Sequence, residues 1–316
     1  MTQAIQTPLG FGLYFLVGPT AVGKTALALE TAEQLGADIL SVDAYCVYRG
    51  MDIGTAKPTA RERSRVRHHG IDLVEVTEAF SVEQYLSHAQ AVVEAARQAD
   101  RPLLVVGGSG FYLKSFFAPV MDGVEIPPEV RARVETLAAD GGLPALQAAL
   151  RPLARDALQP IDWDNPRRVQ MGLLRCLASG LTLGQVQARF AAQPTPYAGV
   201  RKEVCLLERP AEELRVRIAQ RVDAMLAAGL VEEVEGLRGA GLEGNPTAAA
   251  AIGYRETLEY LRGALPDRAS LREAIVRHTR QLARRQRTWF RRQVPVDRVL
   301  AAAGASPGKA FPRRVT

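Results

Sequence analysis

Short apolar runs alternate with amphipathic segments along the first third of the chain. The apolar runs cover residues 12–17, 39–42 and 103–106, and apolar residues recur at helical spacing over residues 24–35 and 82–98. A short continuous apolar run is typical of a strand buried on both faces, whereas helical spacing indicates a helix that packs by one face. Strands that alternate with helices predict a parallel sheet covered by helices, which is the α/β class.

The pattern changes after residue 115. Helical segments broken by glycine and proline follow, with the clearest break at Asp140-Gly141-Gly142-Leu143-Pro144. Strand character returns at residues 204–207, and further helical segments follow it. We therefore expect an α/β core formed by residues 10–115 and 200–300, a helical insertion over residues 116–199, and a disordered tail over residues 301–316.

The composition is that of an ordinary globular protein, but the positive charge is concentrated in one segment. The 316 residues are 47% hydrophobic and 23% charged, which suits one large domain or two smaller ones. The 40 lysines and arginines exceed the 34 acids by 6. Residues 277–292 contain 7 of the arginines and no acid, which leaves 33 bases against 34 acids elsewhere. A basic surface confined to one segment indicates a polyanionic partner.

Several classes of protein are excluded by features that the sequence lacks. No apolar stretch approaches the length of a membrane span, and the first ten residues have no basic region typical of a signal peptide. The cysteines Cys46, Cys176 and Cys205 lie far apart and form no CxxC pair, so neither a disulfide framework nor a zinc site is indicated. We expect a cytoplasmic protein.

The strongest local signal is a phosphate-binding motif between the first predicted strand and the first predicted helix. It matches GxxxxGK[ST] in full and consists of Gly18, Pro19, Thr20, Ala21, Val22, Gly23, Lys24 and Thr25. Glycines permit a loop whose N–H groups converge on phosphate oxygens, and Lys24 and the helix dipole add positive potential. The hydroxyl of Thr25 is the expected ligand of Mg²⁺. The motif predicts a bound phosphate or diphosphate.

Asp43 ends the second predicted strand and is the candidate catalytic base. A P-loop ATPase commonly places an acid at the end of a later strand, but the strand at residues 103–106 ends in Gly107-Gly108-Ser109-Gly110. At the carboxyl edge of a parallel sheet, Asp43 would face the phosphates and could accept a proton from a nucleophile. A loop aspartate that caps a turn is the plainer alternative. These residues alone allow a small-molecule kinase or another transferase that uses a diphosphate donor.

Further blocks, spread between Leu13 and Arg292, resemble the signature of the tRNA dimethylallyltransferases, also called tRNA isopentenyltransferases. In chain order they are SVD (41–43), VYRGMDIGTAKP (47–58), HHGID (68–72), VGGSGFYLK (106–114), NPRRV (165–169), AIGYRE (251–256), TRQ (279–281), RQ (285–286) and TWFR (288–291). So many ordered blocks are far more specific than the phosphate motif alone. The resemblance implies a P-loop core of the nucleotide-kinase type with a parallel sheet, and an inserted helical domain that holds tRNA.

The resemblance also implies the reaction. The family moves a dimethylallyl group from dimethylallyl diphosphate to the exocyclic amine of adenosine at tRNA position 37, beside the anticodon. Diphosphate leaves and no ATP is hydrolysed, which accounts for the missing strand-end acid. Asp43 matches the family's general base, Thr20 matches a residue beside the reacting groups, and Lys24 with Mg²⁺ would stabilise the departing diphosphate. The implied partners are dimethylallyl diphosphate and the anticodon stem-loop of tRNA, and we expect a monomer.

Family positions that contact tRNA align with several parts of the chain. They are Asp43, Ala44, Tyr45, Cys46, Ser109, Arg131, Arg167, Arg168, Val169, Gln170 and Met171. The target adenine must leave the stacked loop to reach the base, so nucleotide flipping is expected. Three positions depart from the family pattern: Ala44 stands where serine is common, Cys46 where glutamine is frequent, and Ser109 where threonine is usual. Ala44 lacks one hydroxyl contact, and Cys46 weakens the case for base recognition at that position.

A basic helical face is predicted near the end of the chain. Its arginines are spaced alternately by three and four residues and are Arg277, Arg280, Arg284, Arg287 and Arg291. Ile275, Leu282 and Trp289 fall on the opposite face and would anchor the helix. We expect Arg280, Arg284 and Arg287 to contact tRNA phosphates, with a merely solvated face as the alternative.

Arg217 and Arg221 lie one helical turn apart in a predicted helix over residues 214–226. The segment resembles the family's R-x-x-x-R-V-D-x-M stretch, so either arginine could close over the diphosphate, although an ordinary surface pair has the same spacing. A small-molecule kinase using Asp43, a transferase acting on free adenine nucleotides and a non-catalytic RNA-binding protein are the competing interpretations. A small acceptor would need neither the insertion nor the arginine face, and a non-catalytic protein would have no use for the phosphate motif with Asp43.

Overall fold

The computed structural model describes residues 10–312, which form two compact units. The first unit contains the described residues up to Lys114 and from Gly199 onward, and the second contains Ser115–Ala198. Within the described residues the first unit is built on a six-stranded sheet in which every pairing is parallel, with the order β3-β2-β4-β1-β5-β6. The strands are β1 (Leu13–Val17), β2 (Asp38–Val42), β3 (His68–His69), β4 (Leu103–Gly107), β5 (Lys202–Glu208) and β6 (Arg298–Ala301). The predicted α/β class with a parallel sheet is confirmed.

Helices surround this sheet and make up most of the second unit. In chain order they are α1 (Lys24–Leu35), α2 (Ala60–Arg65), α3 (Val82–Gln98), α4 (Gly110–Lys114), α5 (Pro128–Leu150), α6 (Pro166–Ser179), α7 (Leu183–Ala191), α8 (Ala211–Ala227), α9 (Leu230–Gly239), α10 (Pro246–Ala249), α11 (Tyr254–Leu261), α12 (Arg268–Gln293) and α13 (Pro307–Ala310). Among the described residues, none of these helices combines the length and the hydropathy that crossing a bilayer requires.

The sheet register brings the candidate catalytic segments to one edge. Val17, at the end of β1, is paired with Gly107 at the end of β4, and Gly107 is paired with Val42 at the end of β2. The phosphate motif, Asp43 and Gly108 therefore all leave the sheet at its carboxyl edge, where ligands of open α/β sheets bind. A Cβ atom at Gly107 would lie 2.3 Å from the carbonyl oxygen of Val42. Glycine at this position is required for the close approach of β2 and β4.

Helices α1 and α3 begin and end where the sequence predicts. Both ends of α1 carry glycines in the left-handed region, Gly23 at φ 110° and Gly36 at φ 67°. Helix α3 begins with a capping box in which Ser81 accepts from the backbone N–H of Gln84 and the Gln84 side chain accepts from that of Ser81. These capping residues are local features of the sequence, so the boundaries of these helices were predictable.

The second unit is a small helical domain with its own core. Apolar side chains of α5, α6 and α7 are buried together, among them Val134, Leu150, Val169 and Leu173. The predicted break falls inside α5, where Gly142 has the non-helical angles φ 59° and ψ −153°. Glycine adopts these angles readily, so the chain kinks there without the penalty that another residue would incur.

The expectation of a disordered tail from residue 301 is wrong over residues 301–312. Strand β6 extends to Ala301 and pairs with β5, and α13 follows it. Ala310 and Phe311 are buried in the cluster that covers α1, and the ring of Phe311 meets the ring of Tyr14 edge to face at 5.3 Å. The segment is mostly small and polar, which is why disorder was expected, but burial of its one aromatic residue, Phe311, stabilises the ordered chain. Residues 313–316 lie outside the described part.

Candidate active site

The phosphate motif forms a strained loop between β1 and α1. Ala21 has φ 62° and Gly23 has φ 110°, so two residues of the loop lie in the left-handed region. Residues in such conformations turn successive backbone N–H groups to the same side, which creates an anion-binding concavity. For Ala21 this conformation costs about 1 kcal/mol, a strain that is typical of functional sites. The side chain of Lys24 reaches back over the loop, and Nζ donates to the carbonyl oxygens of Gly18 at 2.7 Å and Pro19 at 2.9 Å.

Helix α12 holds the loop through Gln286. Its Oε1 accepts from the backbone N–H of Thr20 at 2.8 Å, and its Nε2 donates to the carbonyl oxygen of Gly108 at 3.0 Å. A Cβ atom at Gly108 would lie 2.5 Å from Nε2 of Gln286, and one at Gly110 would lie 2.7 Å from the Trp289 ring. The glycines that follow β4 thus allow α12 to approach the sheet edge closely.

Arginines on and before α8 support the other side of the loop. Nε of Arg217 donates to the carbonyl oxygen of Ala21 at 2.9 Å, and Nε of Arg209 donates to that of Val22 at 3.3 Å. Arg221, one turn after Arg217, donates from Nη2 to the carbonyl oxygen of Thr55 at 3.4 Å. The first two bonds hold the guanidinium groups of Arg217 and Arg209 at the phosphate loop, whereas that of Arg221 is held by the segment that contains Thr55.

The loop opens into a cavity of about 520 Å³, called here the first cavity. Its lining combines Lys24, Arg217 and Arg221 with Asp43 and Gln286. Burial and the Arg221 guanidinium together lower the pKa of Lys24 to about 7, and Asp43 opposes both effects. Burial also lowers the pKa of Arg221. Cations held at such a desolvated site favour a polyanionic ligand, which would relieve the repulsion between them.

Asp43 lies where the first cavity meets a second cavity of about 700 Å³. The residues that line both are Thr20, Asp43, Thr55, Arg221 and Leu282. Oδ1 of Asp43 accepts from the backbone N–H of Tyr45 at 2.9 Å, and Oγ of Ser109 accepts from that of Ala44 at 3.0 Å. The carboxylate is therefore held between an anion site and a second, polar space, a geometry suited to a base that serves two substrates.

The predicted arginine face is present on α12. Arg277, Arg280, Arg284 and Arg291 are exposed and Arg287 is partly exposed. On the other side, Ile275 is buried, Leu282 lines both cavities, and the Trp289 ring lies against Gly110. Arg291 forms an ion pair with Glu208 at 2.8 Å, whereas Arg284 and Arg287 line a shallow cavity together with other arginines of the helix. The predicted amphipathic helix is confirmed, and its role toward RNA stays a prediction.

The remaining predicted RNA contacts differ in accessibility. Arg131, Arg167 and Arg168 are exposed in the second unit, and Gln170 and Met171 are partly exposed. Two side chains are buried: Val169 has 0% exposure in the core of that unit, and Cys46 has 6% in the first. Burial raises the pKa of the Cys46 thiol. At these two positions any contact with RNA would have to come from the backbone.

Two side chains, Gln286 and Arg209, also organise the site, although no sequence motif assigns them a role. Gln286 lies within a block that carries the family resemblance, but its contact with the phosphate loop depends on the packing of α12. Arg209 directly follows β5, at the carboxyl edge of the sheet. The rule that ligands bind at this edge could have identified Arg209.

Comparison with known proteins connects this geometry to one family. The family model described as IPP transferase matches residues 46–293. A protein named tRNA dimethylallyltransferase from Opitutus terrae is 50% identical over 92% of this chain and 93% of its own length. One of the same name from Syntrophobacter fumaroxidans is 38% identical, over 90% and 82% of the two chains.

Solved structures show the same fold. The tRNA isopentenylpyrophosphate transferase of Bacillus halodurans is 31% identical with a TM-score of 0.64, and 92% of this chain aligns with 90% of that one. A eukaryotic dimethylallyltransferase, described as acting on tRNA, has a TM-score of 0.74 at 22% identity, with 93% of this chain and 74% of that one covered. Because only 22% of the residues are identical, the similarity to the eukaryotic enzyme concerns the fold alone.

Proposed function

The chain belongs to the IPP transferase family, and we propose that it transfers the dimethylallyl group of dimethylallyl diphosphate to the N6 amine of adenosine 37 in tRNA, beside the anticodon. The observation that carries the proposal is the position of Asp43, which lines both the first and the second cavity. The first cavity has the cations that a diphosphate needs, and the second has room for a nucleotide. Asp43 is the carboxylate placed to act on a proton between them.

Transfer makes one bond and breaks one at the allylic carbon, and it moves one proton. The N6 nitrogen bonds to the allylic carbon, the carbon–oxygen bond to the diphosphate breaks, and the diphosphate leaves with the electron pair. The amine proton passes to Asp43, a transfer typically worth about 10²- to 10⁴-fold in rate. The hydrogen bond from Tyr45 N–H to Oδ1 fixes the orientation of the carboxylate and leaves the other oxygen available to the amine.

The phosphate loop stabilises the negative charge that develops on the leaving diphosphate. Its backbone N–H groups and Lys24 contact the diphosphate oxygens, and Arg217 and Arg221 close over them from α8. Lys24 exchanges its hydrogen bonds to the carbonyls of Gly18 and Pro19 for bonds to phosphate. Preorganised cations of this kind are usually the largest single contribution to catalysis.

The residues present fit a magnesium ion held mainly by the substrate. Among the described residues, His, Cys, Asp and Glu form no cluster that could hold a metal by itself. Thr25, at the first turn of α1, offers a hydroxyl beside the loop, and Mg²⁺ commonly takes such a ligand together with phosphate oxygens and water. When bound, the ion would neutralise charge on the diphosphate.

The RNA acceptor engages several surfaces of the protein. Arg280, Arg284 and Arg287 present positive charge on α12, and Arg131 and Arg167 are exposed in the helical insertion. Phosphate contacts position the RNA, and the flipped adenine enters the second cavity to reach Asp43. We expect the enzyme to act as a monomer in the cytoplasm.

A small-molecule kinase that uses Asp43 as its base is the competing function. Incubating the protein with dimethylallyl diphosphate, Mg²⁺ and unmodified tRNA, then weighing the digested nucleosides, separates the two. The proposal predicts one dimethylallyl-adenosine per tRNA and no dependence on ATP. A kinase would leave the nucleosides unmodified and would consume ATP in the absence of tRNA.

A further inference from the structure

His278 and Glu256 form a hydrogen-bonded pair in the wall of the second cavity. Glu256 is fully buried at the start of α11, where its Oε2 accepts from the backbone N–H of Gly253 at 2.7 Å. Its Oε1 lies 2.6 Å from Nδ1 of His278 on α12. Nη2 of Arg255 lies 3.0 Å from the same nitrogen. With a proton on Nδ1 the ring donates to Oε1, and Nε2 can donate as well when both ring nitrogens are protonated. These contacts fix the direction of the imidazole.

The pair leaves the outer edge of the imidazole to the cavity. The side chain of His278 is 25% exposed, whereas that of Glu256 is 0% exposed. Because Nδ1 lies against the buried carboxylate, the edge that reaches the cavity is the one that carries Nε2. Across residues 10–312, no protein group forms a hydrogen bond with this nitrogen. A buried carboxylate therefore orients an imidazole whose outer nitrogen is available to a ligand.

Two further cations line the same cavity, Arg255 and Arg285. Arg255 also donates to Oε1 of Glu256, which keeps its guanidinium beside the imidazole. Thr279 and Gln281 add polar groups to the wall, and Glu259 contributes an acid. Asp43 is a second acid of this wall and Arg221 a third guanidinium, so three arginines face two acids, and His278 adds a donor when Nε2 is protonated. This balance suits an anion with several oxygen atoms, such as a phosphate.

We propose that His278, Arg255 and Arg285 form a subsite for one phosphodiester group of the acceptor RNA, next to the nucleoside that reacts at Asp43. Asp43 lines the same cavity, so a phosphate bound there belongs to the reacting nucleotide or to its neighbour. Glu256 is a positioning residue that acts through His278. The inference rests on the proposed function, because its ligand is the acceptor of that reaction.

The subsite can be tested with RNA in which single backbone phosphates are replaced by neutral groups. A synthetic anticodon stem-loop carries methylphosphonates that replace the phosphates around the target adenosine one at a time. With the wild-type protein, one of these replacements is expected to lower kcat/KM about tenfold, the effect of losing a hydrogen bond to a charged group. His278→Ala is expected to lower kcat/KM on the unmodified RNA by a similar factor and to abolish the effect of that one replacement, since the two changes remove the same contact.

Two further variants separate contact with RNA from support of Glu256. His278→Asn keeps an N–H for Oε1 of Glu256 but has no group at the position of Nε2, so it is expected to behave like His278→Ala. His278→Gln places an amide near the position of Nε2 and is expected to retain part of the activity and of the phosphonate effect. Arg97→Ala, an exposed residue of α3 paired with Glu94, serves as the control and should keep both.

The results that would overturn the subsite differ from those that would overturn the proposed function. Additive losses from His278→Ala and each methylphosphonate would overturn the proposal, and so would wild-type activity of His278→Asn, because the imidazole would then serve Glu256 alone. Failure of the proposed function has a different signature: the wild-type protein would not transfer the dimethylallyl group to the unmodified stem-loop.

Discussion

Gln286 on α12 and Thr20 in the phosphate loop are joined by a hydrogen bond of 2.8 Å, although 266 residues separate them in the chain. The same side-chain amide donates to the carbonyl oxygen of Gly108 after β4. One side chain therefore connects the loop after β1, the loop after β4 and the helix that carries the proposed RNA-binding arginines. The geometry of the diphosphate site therefore depends on the packing of α12 against the loops after β1 and β4.

Removing this connection should weaken the donor site. In Gln286→Ala both hydrogen bonds are lost, each worth about 1 kcal/mol, so KM for dimethylallyl diphosphate should rise about tenfold. The change in kcat should be smaller, because Asp43 keeps its own hydrogen bond to Tyr45. Steady-state kinetics at saturating tRNA measure both. Gln98→Ala, at the exposed end of α3, is the matched control, and an unchanged donor KM in Gln286→Ala would show that the loop holds its shape without α12.

Two glycines should respond oppositely to the same substitution. Gly107→Ala places a Cβ 2.3 Å from the carbonyl oxygen of Val42 and should destabilise the fold by about 2 kcal/mol or more through forced separation of β2 and β4. Gly236→Ala, inside α9 with nothing within 4 Å of the added atom, should stabilise it by about 0.5–1 kcal/mol. Urea denaturation of both variants measures the free energies of unfolding. Equal effects would contradict the tight register at the sheet edge.

The parts of the site that were predictable from sequence are those encoded locally. The phosphate motif lies between an apolar run and a helix with glycine at each end, so its place in the fold follows from neighbouring residues. Asp43 could be placed because β2 is a short apolar run in an α/β pattern, and such strands end at one edge. Gln286 could not be placed, since its two partners are brought to it by the packing of α12. The order of residues 301–312 was missed because it depends on Phe311 meeting Tyr14, a contact between the two ends of the described chain.

Binding of the diphosphate should weaken as the pH rises above about 7. Burial and Arg221 lower the pKa of Lys24 to about 7 in the free protein, and a bound diphosphate would restore its charged form. Below that pH Lys24 is charged before binding; above it, binding must take up a proton, so affinity should fall about tenfold per pH unit. The ester gains negative charge with pH, which would act in the opposite direction.

Calorimetry without tRNA, in buffers of different ionisation enthalpy, measures this proton uptake directly. Lys24→Arg is the control, because a guanidinium stays charged over this range and binding by the variant should not take up a proton. Wild-type affinity that is constant between about pH 7 and about pH 9 would show that Lys24 is charged in the free protein throughout.

Reversing the charge of Arg280, Arg284 and Arg287 to glutamate should weaken tRNA binding and flatten its dependence on salt. Each arginine that contacts a phosphate adds about 0.9 to the slope of log affinity against log salt concentration for a duplex and about 0.7 for a single strand. Filter binding over a series of salt concentrations gives that slope. The same reversal at Arg61, Arg97 and Lys309, which are exposed on other elements, controls for net charge. If both triple variants bind alike, the arginine face of α12 is merely solvated.

In the proposed reaction Asp43 takes the proton from the amine while the diphosphate departs, and Asp43→Asn removes that capacity. The amide oxygen of asparagine can still accept from Tyr45 N–H, so the loop keeps its geometry, but the side chain can no longer act as a base. The measurement is the single-turnover rate of dimethylallyl transfer together with the Kd for tRNA. We predict a rate lowered about 10²- to 10⁴-fold with a nearly unchanged Kd. A rate close to that of the wild type would show that Asp43 is not the base.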